Sequence, residues 1–529
     1  VKMTKPFYIT TAIDYPNALP HIGTAFEKVG ADVQARFQEM LDRKVYFLMG
    51  NDENTQKVAR AAHKQGEEVC RYVNGMAANF KHAWRRLDIG YSRFCQTSEI
   101  VHHDFCKKFA QRVMDNGYIY SKLYEGLYCA ECEEFKQSVV NGECETHPGI
   151  PLQTRKERNW FFAWNLFREK LLQLYADKKI RIYPEHRQTE MVKFIESDLK
   201  DISISRQNQG WGIEVPWDQS QVLYVWFDAL LNYLTFANGN WPADVHVIGK
   251  DIVRFHGALL PAMIMAYNAN VMEETHKDAL ALPHTIFSHG FICKKTATGL
   301  TKFSKSGENL GPAGLVDAFG SDGYRYTFMK AANFADDGEY EFGIFAETYN
   351  ADLVNKYGNL FSRVCRLGLT KLGGVIPGVT YVPTQGLPPG GKNFNPPTLG
   401  AVNVWADHMR KFEYRDALVL VMDIVDQTNK MLDERKPWAE DAVDVPGTLA
   451  IAARAVKAVA GMLGPVCPQT SKIVWDTLQY DGDPGFDKLC VETIEGYVIS
   501  SLPLTIDQNR VQEGKVPILF PRFKVKENG

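Results

Sequence analysis

The sequence predicts an α/β protein: a parallel-sheet domain split by an inserted polar segment and followed by an α-helical bundle. Three observations predict it. Short apolar, β-rich runs alternate with helical stretches near the N-terminus and again around residues 222–292. A polar, cysteine-bearing stretch, "YCAECEEFKQSVVNGECETHPG", separates the two halves. From about Ala346 the pattern becomes helical throughout. At 529 residues the chain is too long for one ordinary core, so several domains are expected.

Taken in order, "FYITTAI" reads as a strand bounded by Asp14 and Pro16. In "TAFEKVGADVQARFQEMLD", residues Phe26, Val29, Val33, Phe37 and Leu41 fall near helical spacing. "KVYFLMG" is the next buried strand, ending at the acidic pair Asp52 and Glu53. Ligands of such sheets sit at the carboxyl ends of the strands, so His21 and Asp52 are expected to face one crevice. The stretch from Tyr128 to Gly149 reads as loop. "VHVIG" and "TIFSHGFI" restore the buried strands. "DIVRFHGALLPAMIMA" reads as a helix kinked at Pro261. Leu353, Tyr357, Leu360, Val364 and Leu367 then mark a helix stripe. After a Gly/Pro-rich connector, "YRDALVLVMDIVDQTNKMLDE" and "LAIAARAVKAVAGMLGPV" complete the bundle.

Composition narrows the class. Apolar residues make up 45% and charged residues 23%, with a formal net charge of −3. That balance suits a soluble protein and requires any nucleic-acid surface to be local. No apolar run reads as long enough to span a bilayer, so no membrane partner is expected. "VKMTKPFYITT" lacks an apolar signal core, and a cytoplasmic protein is expected, with an additional organellar pool compatible with the sequence. Most of the ten cysteines are scattered, which suggests reduced thiols. Neither G-x-x-x-x-G-K-[ST] nor G-x-G-x-x-G occurs.

Two strings carry the chemistry. In "LPHIGTAF", Gly23 lets backbone approach a phosphate, and the helix that follows offers its N-terminus to negative charge. His21 can donate to a phosphoryl oxygen. A tight turn with an incidental histidine is the plain alternative. In "LTKFSKSGENLG", Lys302, Ser304, Lys305 and Ser306 gather donors and positive charge beside glycines. Such a loop can clamp a triphosphate, although lysine-rich loops are usually only solvated.

Together the strings resemble the HIGH and KMSKS signatures of class I aminoacyl-tRNA synthetases. "TTAIDYPNALPHIGT", "YVWFDALLNYLT", "HVIGKDIVRFHG" and "SHGFI" resemble the methionyl-tRNA synthetases within that class, in the subgroup with one zinc knuckle. The likeness runs from about Pro6 into the C-terminal helices. Three departures stand out: Thr24 replaces the last histidine of HIGH, Phe303 replaces the methionine of KMSKS, and Asn54 and Thr55 replace the usual His-Gly after the second strand.

The resemblance implies a Rossmann-like catalytic domain and a two-step reaction. Methionine is activated by ATP, with Mg²⁺, to methionyl-adenylate and is then transferred to the 3′ end of tRNA(Met). His21, Thr24, Lys302 and Lys305 would be the catalytic residues. ATP would be held by these with Gly23, Gly249, Asp251 and Ser304. Methionine would be lined by Ile13, Tyr15, Trp226, Ala229, Leu230, Tyr233, Phe255 and His256, with Asp52 pairing its ammonium. For the aromatic residues, plain core packing is the alternative. Asn359, Arg363 and Trp438 would read the anticodon, against the alternative of a surface polar pair and a packed tryptophan.

Cys129-x-x-Cys132 and Cys144-x-x-His147 have the spacing of a Cys₃His structural zinc site. The expected domains are 1–117 and 217–292 (the two catalytic halves), 118–216 (the insert with the knuckle), 293–345 (the lysine loop and a stem-contact region) and 346–529 (the anticodon-binding bundle). Oligomeric state is open, and a monomer satisfies the sequence. Other classes compete. A cysteinyl synthetase shares both signatures but would place zinc in its amino-acid pocket. Leucyl, isoleucyl and valyl enzymes need an editing insertion longer than residues 118–216. A HIGH-type nucleotidyltransferase would not need the helical C-terminus, and a non-catalytic RNA-binding module would not need the lysine loop.

Overall fold

The structure is a computed structural model. It describes residues 5–129, 134–136, 143–144, 147–270, 279–296, 299–302, 311–378, 399–479, 504–507, 510–511 and 516–523. The chain forms two compact units: residues 1–19, 46–82 and 91–289, and residues 20–45, 83–90 and 290–529.

The first unit is built on a six-stranded sheet. Its strands are β1 (Phe7–Thr11), β2 (Val45–Asn51), β3 (Arg93–Gln96), β4 (Arg181–Tyr183), β5 (Val245–Gly249) and β6 (Thr285–His289), in the spatial order β3-β2-β1-β5-β6-β4. β1 runs parallel to β5 with Thr10 opposite His246, and β5 runs parallel to β6 with His246 opposite Ile286. Every residue of β1 and β5 is buried, as expected for strands covered on both faces. Strand order reverses between β1 and β5, which opens a crevice at their carboxyl ends. A 2.7 Å contact between Thr10 Oγ1 and His246 Nδ1 ties the two strands.

Among the described residues, the insert carries several strands. Ile119–Cys129 and Gln153–Phe162 form a long antiparallel pair, from Ile119 opposite Phe162 to Tyr128 opposite Gln153. Between them lie the short strands Glu134–Lys136, Glu143–Cys144 and His147–Pro151, where loop was expected. Strands of two to five residues are too short to set up a readable alternation.

The helix expected around Pro261 is broken differently from a simple kink. A π-helical turn, Phe255–Leu259, precedes α2 (Leu260–Tyr267), so Pro261 sits in the first turn of α2. Proline has no N–H and crowds the carbonyl four residues earlier. That carbonyl, on Gly257, accepts a 2.7 Å hydrogen bond from the buried Tyr175 hydroxyl.

In the second unit, α1 (Ile22–Met40) packs against helices from the C-terminal half of the chain. Phe26 meets Phe334 at 5.0 Å between ring centroids, and Phe37 meets Trp405 at 5.5 Å. The other principal helices are α3 (Pro312–Ala331), α4 (Asn359–Leu372), α5 (Tyr414–Arg435), α6 (Val445–Leu463) and α7 (Pro468–Thr477). Leu353, Tyr357, Leu360 and Val364 are buried as the spacing predicts, although Tyr349–Gly358 is a π-helical stretch leading into α4. By length and composition α6 could cross a membrane, which corrects the expectation that no run is long enough. Its alanines and branched residues are instead mostly buried within the unit.

Candidate active site

At the carboxyl end of the first unit's sheet, Asp14 continues β1 and pairs with the end of β2. Its N–H donates to the Gly50 carbonyl at 3.0 Å, and its carbonyl accepts from the Asp52 N–H at 2.8 Å. This pairing fixes Asp52, 3% exposed, beside the segment that bears Ile13 and Tyr15. Ile13, Tyr15, Trp226 and Ala229 pack into one apolar cluster with Tyr224 and Val225. Trp226 stacks on Phe255, with centroids 3.9 Å apart and planes 10° from parallel. His256 stands edge-on to Trp226 at 6.4 Å. Leu230 and Tyr233 are buried in the main core of the unit.

The polar groups beside this cluster are fixed by hydrogen bonds. His256 Nδ1 lies 3.0 Å from the Ile252 carbonyl, which can only accept. The neutral ring therefore carries its proton on Nδ1. Nε2, 2.8 Å from the Tyr233 hydroxyl, is left to accept. Tyr233 is held in turn by the Tyr8 hydroxyl, which donates to its carbonyl at 2.7 Å. Gly249 is buried at the end of β5, and Asp251 is exposed two residues beyond.

Sequence reasoning missed several groups here. Asp228 lies between Trp226 and Ala229 in an apolar run and is fully buried. Burial holds its carboxyl well above the usual carboxylate range, and among the described residues neither carboxyl oxygen has a hydrogen-bond partner. Asn54, a departure from the family string, is built into the fold: its Nδ2 donates to the Thr97 carbonyl at 3.0 Å, and its Oδ1 lies 3.2 Å from His103 Nε2. Thr55 caps the helix Gln56–Lys64. A charged residue inside "YVWFDALL" was the signal available for Asp228.

Glu53 was read only as the end of a strand. It is fully buried, accepts from Ser98 Oγ and, at 3.0 Å, from Gln96 Nε2. Burial pushes its carboxyl from 4.5 up to about 7, against those hydrogen bonds. A carboxyl raised on folding contributes stability that is complete below pH 4.5 and lost as pH rises through 7. Glu53→Gln is therefore expected to match the parent near pH 5 and to exceed it by roughly 2–3 kcal/mol near pH 8. Denaturant melts at both pH values check this, and an equal difference at both would contradict it.

In the second unit His21 caps α1. Its Nδ1 accepts from the N–H groups of Gly23 and Thr24 at 3.1 and 3.3 Å. The neutral ring then carries its proton on Nε2, the atom with which it can donate to an anion. A Cβ at Gly23 would lie 3.0 Å from the His21 ring, so a side chain there would crowd the cap. The first turn of α1 contains no acidic residue, which keeps its positive end available to a phosphate. Lys302 ends the strand Gly299–Lys302, whereas Ser304 and Lys305 lie outside the described residues.

Within the insert, Cys129 and Cys144 are 0% and 2% exposed, and Cys144 pairs across a hairpin with His147. Cys132 lies outside the described residues. Buried thiols from two strand ends, with a histidine opposite one of them, are donor types that fit zinc.

In the bundle, the Arg363 guanidinium lies 5.0 Å from the centre of the Trp438 ring. Asp433 accepts from it at 2.6 Å and Asn429 at 3.3 Å. Asn359 is exposed one turn before Arg363 on α4. Trp438 is 43% exposed, so it is not a packed core residue.

The family model "tRNA synthetases class I (M)" matches residues 7–149 and 137–365. A methionine–tRNA ligase of Thermosynechococcus vestitus is 37% identical, over 90% of this chain and 91% of its own. That of Streptomyces coelicolor is 34% identical, over 99% and 97%. A chloroplastic/mitochondrial methionine–tRNA ligase of Arabidopsis thaliana is 34% identical, over 90% and 78%. The structure is similar to Mycobacterium tuberculosis methionyl-tRNA synthetase in complex with methionyl-adenylate, with a TM-score of 0.80, 30% identity, and 95% and 98% of the two chains covered. Sequence and fold agree, and the chain belongs to the class I (M) tRNA synthetases, the methionyl-tRNA synthetase family.

Proposed function

We infer that the chain is a methionine–tRNA ligase. It activates L-methionine with ATP to methionyl-adenylate, releases pyrophosphate, and transfers the methionyl group to the 3′ end of tRNA(Met). The observation that carries the substrate assignment is the stacked Trp226–Phe255 wall beside His256 and Tyr233. An unbranched thioether offers shape and a polarisable sulfur, and flat aromatic surfaces suit both. Asp52 binds the ammonium. Ile13, Tyr15, Ala229 and Leu230 shape the apolar side.

The methionine carboxylate attacks the α-phosphorus of ATP, so no covalent enzyme nucleophile is needed. Catalysis is then positioning and charge neutralisation. His21 donates from Nε2 to a phosphoryl oxygen, and Gly23 and Thr24 present the start of α1 to the phosphates. Gly249 and Asp251 hold the ribose. Ser304 contacts the phosphates, and Lys302 and Lys305 neutralise the charge of the transition state. Mg²⁺ accompanies ATP and draws charge from its phosphates. ATP–pyrophosphate exchange measured with each of the twenty amino acids tests the assignment: methionine dominates, and dominance by cysteine would overturn it. A HIGH-type nucleotidyltransferase would show no amino-acid dependence.

The five-segment division, with the insert at 118–216 and the bundle from 346, belongs to this proposal, as does a cytoplasmic location. Cys129, Cys132, Cys144 and His147 would hold a structural zinc ion in the insert. Protein purified without added zinc or chelator is expected to contain about one zinc ion per chain. Repeated preparations without metal would remove the site.

Asn359, Arg363 and Trp438 read the anticodon, since splayed RNA bases stack on aromatic rings and bond to exposed polar groups. Trp438→Ala removes a platform worth ~1–3 kcal/mol per base. Aminoacylation of full tRNA is expected to fall roughly tenfold to a hundredfold, with an unchanged melting temperature, because the ring is exposed. A lowered melting temperature with equal losses in exchange and aminoacylation would make Trp438 a packing residue instead.

A further inference from the structure

We propose that two buried polar contacts, Asp32–Arg325 and Gly30–Tyr414, anchor the signature helix α1 to the RNA-reading bundle, making Arg325 and Tyr414 positioning residues for methionyl transfer. The proposal rests on the reading of Arg363 and Trp438 as anticodon contacts.

Arg325, on α3, is 0% exposed. Its Nη2 donates to Asp32 Oδ2 at 2.6 Å and to the Pro465 carbonyl at 3.0 Å. Its Nε donates to the Val466 carbonyl at 2.8 Å, and Nη1 to the carbonyls of Leu87 and Asp88 at 3.1 and 3.4 Å. Each of the guanidinium's N–H groups is thus committed. Asp32, on α1, also accepts from Arg36 Nε at 2.8 Å and from the Gly90 N–H at 2.7 Å. One guanidinium therefore joins α1, the helix that follows the lysine loop, the turn at residues 87–88 and the turn between α6 and α7.

The second contact lies on α5. Tyr414, its first residue, is fully buried, and its hydroxyl donates to the Gly30 carbonyl of α1 at 2.7 Å. Gly30 also leaves room for the Phe334 ring, since a Cβ there would lie 2.2 Å from it. α5 has 22 residues and extends roughly 33 Å at the usual rise of an α-helix. Near its far end Asn429 and Asp433 hold Arg363, and Trp438 follows three residues beyond it. α5 is thus a continuous helical connection between α1, which His21 caps, and the residues that read RNA.

Apolar contacts such as Phe26–Phe334 and Phe37–Trp405 also hold α1, but a cavity of about 460 Å³, lined by Arg36, Gly464, Pro465, Pro468, Lys472 and Trp475, leaves the side of α1 that faces the turn between α6 and α7 incompletely packed. Buried ion pairs contribute little net stability, so stability alone does not account for Asp32–Arg325. A stiff anchorage has a separate use: it lets binding energy gained at a remote site be realised in the transition state. If the anchorage loosens, RNA binds as before but orients less well for transfer.

The test uses Arg325→Lys, which keeps the charge and loses the fork, and Tyr414→Phe, which loses one hydroxyl. Both are made in the full chain. Aminoacylation kcat is expected to fall roughly tenfold in Arg325→Lys and about threefold in Tyr414→Phe with full tRNA(Met), at unchanged tRNA KM. Charging of a minimal acceptor-stem RNA and methionine-dependent exchange remain at parental rates. An unchanged kcat with full tRNA in both variants would overturn the proposal. So would equal losses in all three assays with a lowered melting temperature, the signature of a merely structural role. If Arg325→Lys does not fold, Tyr414→Phe decides. Trp438→Ala is measured in parallel: a raised tRNA KM there with an unchanged kcat in both anchor variants refutes the coupling alone, whereas an unchanged tRNA KM there refutes the anticodon reading beneath it.

Discussion

Asp52→Asn is expected to lower kcat/KM for methionine activation by at least a hundredfold, mostly through a raised KM for methionine. The physical reason is the position of Asp52. Only 3% exposed, it pairs through its backbone with Asp14 at the end of β1. An ammonium placed there leaves water, and a facing carboxylate is what compensates it. Removing one partner of a buried ion pair costs about 3–5 kcal/mol, since the other charge is left unmatched. Asparagine keeps the size and the backbone hydrogen bonds, so the melting temperature should hold. A substrate analogue lacking the α-amino group separates specific from general damage. The parent should discriminate strongly against it and the variant hardly at all. Equal discrimination by both proteins would show that Asp52 does not bind the ammonium.

Much of the sheet and its ligand end was legible because it depends on local signals. β1, β2 and β5 are short buried runs bounded by Asp, Pro and Gly, and the residues just beyond them were the ones singled out. The pocket aromatics were named through the family resemblance, and the Trp226–Phe255 stack shows them side by side. What stayed hidden depends on distant partners. Pro261 announced an interrupted helix, but the form of the interruption rests on Tyr175, far upstream, whose hydroxyl takes up the carbonyl at Gly257. His21 read as a phosphate donor, yet its Nδ1 is also the cap of α1, a task usually left to Ser, Thr, Asp or Asn. Arg325 looks like any surface arginine in "GYRYTF", because its partners, the Asp32 carboxylate and four backbone carbonyls, lie far away in sequence and leave no local signature. Asp228 shows a related limit, since charge in an apolar run signals burial without naming a role, whereas Glu53 lies in the polar string "GNDENTQK" and had no such signal.

Lys305→Ala is expected to slow methionyl-adenylate formation by roughly a hundredfold to a thousandfold, with little change in methionine affinity. Methionine binding uses Asp52 and the aromatic wall, which the substitution does not touch. The charge of Lys305 acts where the pentacoordinate phosphorus gathers negative charge and pyrophosphate begins to leave. Its string is flanked by the strand Gly299–Lys302 and by α3, which starts at Pro312 after Gly311. The effect should therefore appear in kcat rather than in KM for methionine, as expected when an interaction made only in the transition state is lost. Rapid-quench measurement of adenylate formation reads that step directly, without the transfer to tRNA. Lys302 is the obvious substitute, two residues from Ser304 and of the same charge. The Lys302→Ala/Lys305→Ala double variant distinguishes the cases. If Lys302 covers for its neighbour, the single change is mild and the double is severe. If Lys305 acts alone, the single change already carries nearly the whole loss. An unchanged rate in the double variant would remove transition-state neutralisation from this loop and leave the phosphates to His21 and the start of α1.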